Sequence, residues 1–501
     1  MAALIDDVSN KFFDYIIVGG GTAGLTLAAR LSEDPDSSVL VLEAGEANLD
    51  DPNILRPASF GSHFSNKSYF WDHLTNKQKY AGDRQNGWQR GRGLGGSSGI
   101  NFLCWTKPPA RDIDDFERLG NSGWNWKNYE NCLERTEGFV DPSDKTKTTY
   151  NMNSDNWKIG PLSLAFPATM DEAELKIQQT FLNSGLNPAP HPILELSGIG
   201  REDILESIGV PMIMDLPGVG ENVQEHMFIG LSWELKNDVK FDTLDLLRDP
   251  VMAAKHLDLH PTGSGLFTTG IVGFAFTTLD KVTSQAGTIY QYIKEMISDM
   301  DPETSPPGLM EQYKIMLERF EPGKGSPGCE FISFPGLLSH PNPPADGKRY
   351  VTILAATNHT FSRGTIVSPT VTVCAELVSV PLLIILMEIK HSTSSNPTKD
   401  PEFDAHYFEQ MVDLDIFTEM CKFARKLADV EPLKDMIVKE LNPGAEVQTD
   451  EQLRGTHSRM LRILCLGLIG LIRRLDKSHL RYHLAYCKFL LYVTFGERRG
   501  C

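Results

Sequence analysis

The stretch Phe13-Asp-Tyr-Ile-Ile-Val-Gly-Gly-Gly-Thr-Ala-Gly24 decides how this chain folds. Phe13 to Val18 is short, apolar and β-branched, the composition of a buried parallel strand. It runs directly into Gly19-Gly-Gly21-Thr22-Ala23-Gly24. Leu25, Ala28, Ala29 and Leu31 then recur at helical spacing, so a helix opens at the glycines. A second apolar run, Val39-Leu-Val-Leu42, ends in Glu43. Gly19 permits the tight turn, Gly21 lets a pyrophosphate approach the backbone, and Gly24 lets helix and strand pack closely. The N–H groups of the first helical turn, around Thr22 and Ala23, then point at the anion. Glu43 lies 19 residues past Gly24, near the spacing of about 20 at which a carboxylate reaches the ribose hydroxyls. The order of these parts predicts a dinucleotide site, without separating FAD from NAD(P).

Composition bounds the rest. The chain has 501 residues, enough for two or three domains, and its 41% hydrophobic and 23% charged residues are those of a globular protein. A net charge of −18 argues against nucleic acid, whose phosphates need a basic surface. Eight scattered cysteines with no C-x-x-C pair give neither a disulfide framework nor a metal spacing. The longest apolar runs, Leu377–Ile389 and Met460–Ile472, have 13 residues each, against the roughly 20 that span a bilayer. No membrane partner is expected. The acidic, unapolar start of the chain predicts an intracellular protein.

A second glycine cluster, Gly91-Arg-Gly-Leu-Gly-Gly-Ser-Ser-Gly-Ile-Asn101, leads into the apolar Phe102-Leu-Cys-Trp105. A flexible linker would stay polar, so close backbone approach to a flat ligand is the better reading. With this cluster the sequence resembles the glucose–methanol–choline (GMC) oxidoreductase family. The resemblance continues through Asp112–Phe116, Gly123–Tyr129, Leu196–Gly200, Leu216–His226, Phe361–Ile366 and Asp400–Asp404. It implies an α/β FAD-binding domain and an α+β substrate domain on a mostly antiparallel sheet. The FAD-binding region would cover 12–228, with substrate-domain segments within 113–190, and the substrate region 229–453. The FAD domain would be assembled from pieces near 12–110, 192–228 and the C-terminus.

The resemblance further implies an FAD-dependent alcohol oxidase or dehydrogenase. A histidine takes the hydroxyl proton while hydride passes to flavin N5, and oxygen or a quinone-type acceptor reoxidises the flavin. Cofactor contacts carry onto Gly93, Gly95, Ser97, Ser98, Gly99, Asn101, Phe102, Leu103 and Cys104, beside Gly19, Gly21, Thr22, Ala23, Gly24 and Glu43. Some members tether the flavin through a histidine where this chain has Ile100, so the FAD is expected to be non-covalent. Phe267, Phe274, Phe276, Tyr290, Phe331 and Phe334 are candidates to line a substrate pocket, ordinary core packing being the commoner role for any one of them. His226 is expected to play a structural role and not to be the catalytic base, and no residue is assigned as that base.

Three departures from the family pattern qualify this. Leu186–Pro190 runs almost directly into Pro192–Leu196, shortening the cofactor wall. An atypical apolar insert occupies 367–399. From Arg454 to Cys501 ten Lys/Arg face two Asp/Glu, an abrupt change, and the two C-terminal histidine motifs of the family are missing. Thr456-His457-Ser458, His479 and His483 do not replace them. The three breaks together resemble a skipped, a retained and a frame-shifted coding segment. They keep open the alternative of a catalytically defective FAD-binding remnant.

Overall fold

A computed structural model describes residues 2–4, 8–104, 108–140, 160–186, 222–271, 273–367, 402–460 and 490–494. The shortened joint at 187–196, Leu196–Gly200, most of Leu216–His226, the insert from 368, Trp105, His479 and His483 lie outside the described residues, as does the side chain of His457.

The first sheet carries the opening motif. Strands β1 (Ala2–Leu4), β2 (Tyr15–Val18) and β3 (Val39–Glu43) are joined by a strand from far along the chain, Leu490–Thr494, inserted antiparallel between β1 and β3. β2 and β3 pair in parallel, Tyr15 against Val39 and Val18 against Leu42. A parallel pair needs a crossover, and helix α1 (Thr22–Leu31) provides it. Ala28 of α1 packs on Ile17, Val39 and Val41. The strand begins two residues later than its apolar run because Asp14 is engaged at the edge, accepting from Ser38 N at 2.7 Å and from Ser38 Oγ at 2.6 Å.

The second sheet has five strands, all antiparallel: β4 (Met227–Leu235), β5 (Phe274–Thr277), β6 (Cys329–Phe334), β7 (Tyr350–Thr357) and β8 (Ile437–Asn442), in the order β8-β4-β7-β6-β5. β7 is central, and all eight of its residues are buried. Side chains alternate between faces along a strand. One face carries Ile229, Leu231 and Trp233 of β4, Phe331 of β6, and Ile353 and Ala355 of β7. These belong to the main core, together with Phe417, Met420 and Ala424 of helix α2 (Met411–Leu427). Phe331 is fully buried there, its ring 5.2 Å from that of Phe423.

The other face carries Phe228, Ile332, Phe334 and Leu354, clustered with Phe60 and Phe102. Phe102 stands 5.2 Å from Phe60, and Phe60 stands 6.2 Å from Phe334. These three rings join the end of the second glycine segment to the sheet. A charged contact makes a separate join. Arg319, 4% exposed, forms ion pairs with Asp112 and Asp115 of the helix Ala110–Arg118. His359 Nε2 lies 3.3 Å from the same Asp112. No helix among the described residues is long and apolar enough to cross a membrane, and no group of three His, Cys, Asp or Glu there could hold a metal ion.

Candidate functional site

The site starts where β2 ends. Gly19 N donates to Leu42 O at 2.7 Å and its φ of 100° turns the chain out of the strand, a conformation open to glycine. Gly21 is the N-cap of α1 in extended conformation, and no side chain caps that end. The positive end of a ten-residue helix is thus presented without a competing side-chain acceptor. A Cβ on Gly24 would stand 2.0 Å from Gly19 O and 3.3 Å from Ile17 Cγ2, so turn, helix and strand meet as closely as backbone can.

The second glycine segment lies directly against this turn. Gly21 and Gly95 form a parallel β-bridge, Gly95 N donates to Gly20 O at 2.9 Å, and Thr22 Oγ1 donates to Gly95 O at 3.3 Å. A Cβ on Gly96 would fall 2.9 Å from Gly21 Cα. Residues 74 positions apart therefore share one bare stretch of main chain. The serines brace this segment from within: Ser97 Oγ accepts from Gly91 N at 3.0 Å and Ser98 Oγ donates to Gly95 O at 2.6 Å.

Glu43 sits behind both turns, 7% exposed. Oε2 accepts from Gly20 N at 2.7 Å, and Oε1 accepts from Gly45 N at 2.8 Å and Gly93 N at 3.1 Å. The sequence predicts a ribose-binding carboxylate here. The structure gives Glu43 three main-chain partners, which spacing did not reveal.

Beyond Gly99 the segment leaves the turn. Ile100 is buried with Tyr69 and Phe70. Asn101 Oδ1 accepts from Leu103 N at 2.8 Å, closing a tight turn that holds Leu103 at a φ of 59° with its side chain half exposed. Phe102 joins the aromatic cluster, and Cys104 Sγ lies 3.4 Å from Phe102 O. Burial pushes the Cys104 thiol up to about 12, helped by the charges of Glu174 and Glu330. It stays protonated at neutral pH.

Cross-strand pairing sorts the aromatic candidates. Glu330 opposes Phe276 and Ala356, and Ile332 opposes Phe274 and Leu354. Directly opposed residues share a face, so Phe274, Phe276 and Phe334 lie on the side that Phe102 reaches. Phe331 does not. It is a core residue under α2, the more common role for a strand aromatic: the strand's alternation turns it away from the cluster. Tyr290 packs against the main core and Phe267 is half-buried in a separate turn.

The same face carries a polar pair. His226, just before β4, has its Nε2 3.0 Å from Glu330 Oε2. Its ring is 42% exposed while Glu330 is buried. Burial pulls the His226 pKa down, but the hydrogen bond and charge of Glu330, with Glu225 adding its charge, raise it above the ordinary value. Sequence reasoning did not find Glu330. The available signal was an acid inside the apolar strand Cys329-Glu-Phe-Ile-Ser-Phe334, since an acid is rarely buried without a partner.

A family model described as GMC oxidoreductase matches residues 13–187 of the chain, which hold both glycine segments. The first part of the chain thus matches this family, and curated relatives named for it align along most of its length. It is similar to the GMC oxidoreductase family protein Mala s 12 of Malassezia sympodialis, 26% identical over 89% of this chain and 81% of that protein. Its fold resembles an FAD-dependent oxidoreductase from Chaetomium thermophilum, with a TM-score of 0.73, 20% identity and coverage of 89% and 87% of the two chains. A fungal aryl-alcohol oxidase superposes with a TM-score of 0.69 at 19% identity, covering 91% and 89%. The GMC fold, an α/β FAD-binding domain with an α+β substrate domain, is therefore the architecture described above. In this chain, Gly19, Gly21, Thr22, Ala23, Gly24, Glu43, Gly93, Gly95, Ser97, Ser98 and Gly99 come together around one seam. Asn101 to Cys104 lead from it to the five-stranded sheet.

Proposed function

We propose that this chain binds FAD without a covalent link along the glycine seam and oxidises the CH–OH group of a small alcohol. The observation that carries the reading is the bridge between Gly21 and Gly95, which lines up two stretches of backbone free of side chains. Such a surface fits an extended dinucleotide, because a Cβ at either stretch would occupy the space a pyrophosphate needs. The first-turn amides of α1 would hold the pyrophosphate, Glu43 would accept from the ribose, and Ser97 to Gly99 with Asn101 to Cys104 would lie toward the flavin. Bound FAD supplies the hydride acceptor, at its N5. The apolar face formed by Phe228, Phe274, Phe276, Ile332 and Phe334 takes the carbon skeleton of the alcohol and keeps water away. His226, held by Glu330, orients polar groups at the edge of that face. Ile100 replaces a tethering histidine and is turned into the cluster of Tyr69 and Phe70, which supports a dissociable cofactor. Oxygen or a quinone-type acceptor completes the cycle.

The test is an absorbance spectrum after reconstitution with FAD, followed by anaerobic addition of alcohols. Bound flavin that bleaches with an alcohol is the expected result, and protein that stays colourless overturns the reading. Bound flavin that no alcohol bleaches would instead identify a remnant that holds nucleotide without turnover. The change of composition after Arg454, where the histidine motifs of the family are missing, is the observation behind that second reading.

A further inference from the structure

Glu43 is surrounded by more donors than a ribose contact requires. Its three partners come from three different places: Gly20 in the first turn, Gly45 just after β3, and Gly93 in the second glycine segment. None of these three amides has a main-chain acceptor among the backbone bonds of the described residues. An ionised carboxylate offers acceptors only, about four lone-pair positions in all. Three are used, which leaves room for a single ribose hydroxyl. The surroundings leave no slack for an alternative arrangement. A Cβ on Gly45 would stand 2.4 Å from Gly93 N, and one on Gly20 would stand 3.2 Å from Glu43 Oε2 and 2.8 Å from Leu94 Cδ2.

We propose that Glu43 is a positioning residue that clamps the second glycine segment onto the first, so that the seam is shaped before any nucleotide arrives. The direct bonds between the turns, from Gly95 N to Gly20 O and from Thr22 Oγ1 to Gly95 O, act at Gly95 and leave the amides of Gly20, Gly45 and Gly93 to Glu43. Gly93 has a φ of 137° and Gly95 a φ of 90°, and glycine loses more backbone freedom on ordering than any other residue. Charge-assisted bonds to one carboxylate offset that loss. Arg92 Nη2, donating to Ala44 O at 3.2 Å, and Leu94 N, donating to Glu46 O at 3.1 Å, flank the clamp but do not reach the first turn. Glutamine cannot substitute. Its amide nitrogen would be turned either toward Gly20 N or toward the amides of Gly45 and Gly93, so a donor meets a donor in both orientations.

The clamp belongs to the nucleotide-free chain, and only its consequence for affinity rests on the FAD reading above. Amide hydrogen exchange at single-residue resolution on the full chain without nucleotide tests it. In the unmodified protein Gly20, Gly45 and Gly93 should be protected like strand amides; exchange at the rate of unbonded loop amides would overturn the clamp whatever a variant does. In Glu43→Gln these amides should exchange roughly tenfold faster or more, the scale expected for loss of one charge-assisted bond, while β6 and β7 keep their protection. Unchanged protection of all three amides in that variant would also overturn it. A parallel FAD titration should show binding weakened by roughly tenfold in Glu43→Gln. If the unmodified chain takes up no FAD yet its three glycine amides are protected, the cofactor reading falls and the clamp stands.

Discussion

Gly24 and Phe331 occupy equally tight places in the two halves of the molecule, for opposite reasons. Around Gly24 the contact is main chain on main chain, and even one methyl group would stand 2.0 Å from a carbonyl oxygen. Around Phe331 the contact is side chain on side chain, a fully buried ring between the five-stranded sheet and α2. The half that carries the glycine seam is built by leaving side chains out, and the half around the five-stranded sheet by fitting them together. The first arrangement leaves the start of α1 without a side-chain cap, and the second builds a packed wall. Mutations should therefore fail differently in the two halves.

The largest effect is expected at the ring. Phe331→Ala removes a fully buried aromatic and should cost about 3–5 kcal/mol of stability, read from the urea midpoint. A loss below about 1 kcal/mol, the scale of a surface change, would mean that the strand faces are assigned the wrong way round. Gly24→Ala should cost less, about 1–3 kcal/mol as an overpacked position, but concentrate it in the seam. FAD binding should weaken more than the melting temperature suggests. Equal FAD affinity in Gly24→Ala and the parent would break the contrast between the halves.

The smallest effect concerns the edge where the halves meet. The raised pKa of His226 means that its imidazolium is favoured by the fold. Its contribution to stability is complete below the unfolded value of about 6.5 and disappears as pH rises through the higher folded value. Glu330→Gln should move the His226 midpoint down, toward or below that of a free histidine, as read by imidazole C2–H exchange. An unmoved midpoint would show that Glu330 is not the group that holds the proton.

What could be read from the sequence follows the same division. β2, the glycine turn, α1 and β3 were legible because their signals are local: an apolar run, a change to helical spacing, and a second run ending in an acid. The second glycine segment was legible as close-approach backbone, but its neighbour was not, since nothing in residues 91–101 says that Gly95 pairs with Gly21. Glu43 was readable as an acid at the right distance. Its three donors were not, because Gly20, Gly45 and Gly93 are assembled by the turn geometry. In the half around the five-stranded sheet, alternation separates Phe331 from Phe334, but both faces of the strand are apolar. Only the packing of α2 on one side and Phe102 on the other distinguishes them. The pairing of His226 with Glu330 spans 104 positions and was hidden for the same reason.

The ring trio Phe60, Phe102 and Phe334 has a consequence for anyone who wishes to exchange parts between relatives. It is an adaptor: one ring belongs to the loop after β3, one to the tail of the second glycine segment and one to the sheet. A chimera that takes its sheet from another member without matching these three shapes would join two sound modules through a mismatched coupling. Carrying the trio across as a unit keeps both modules seated on each other.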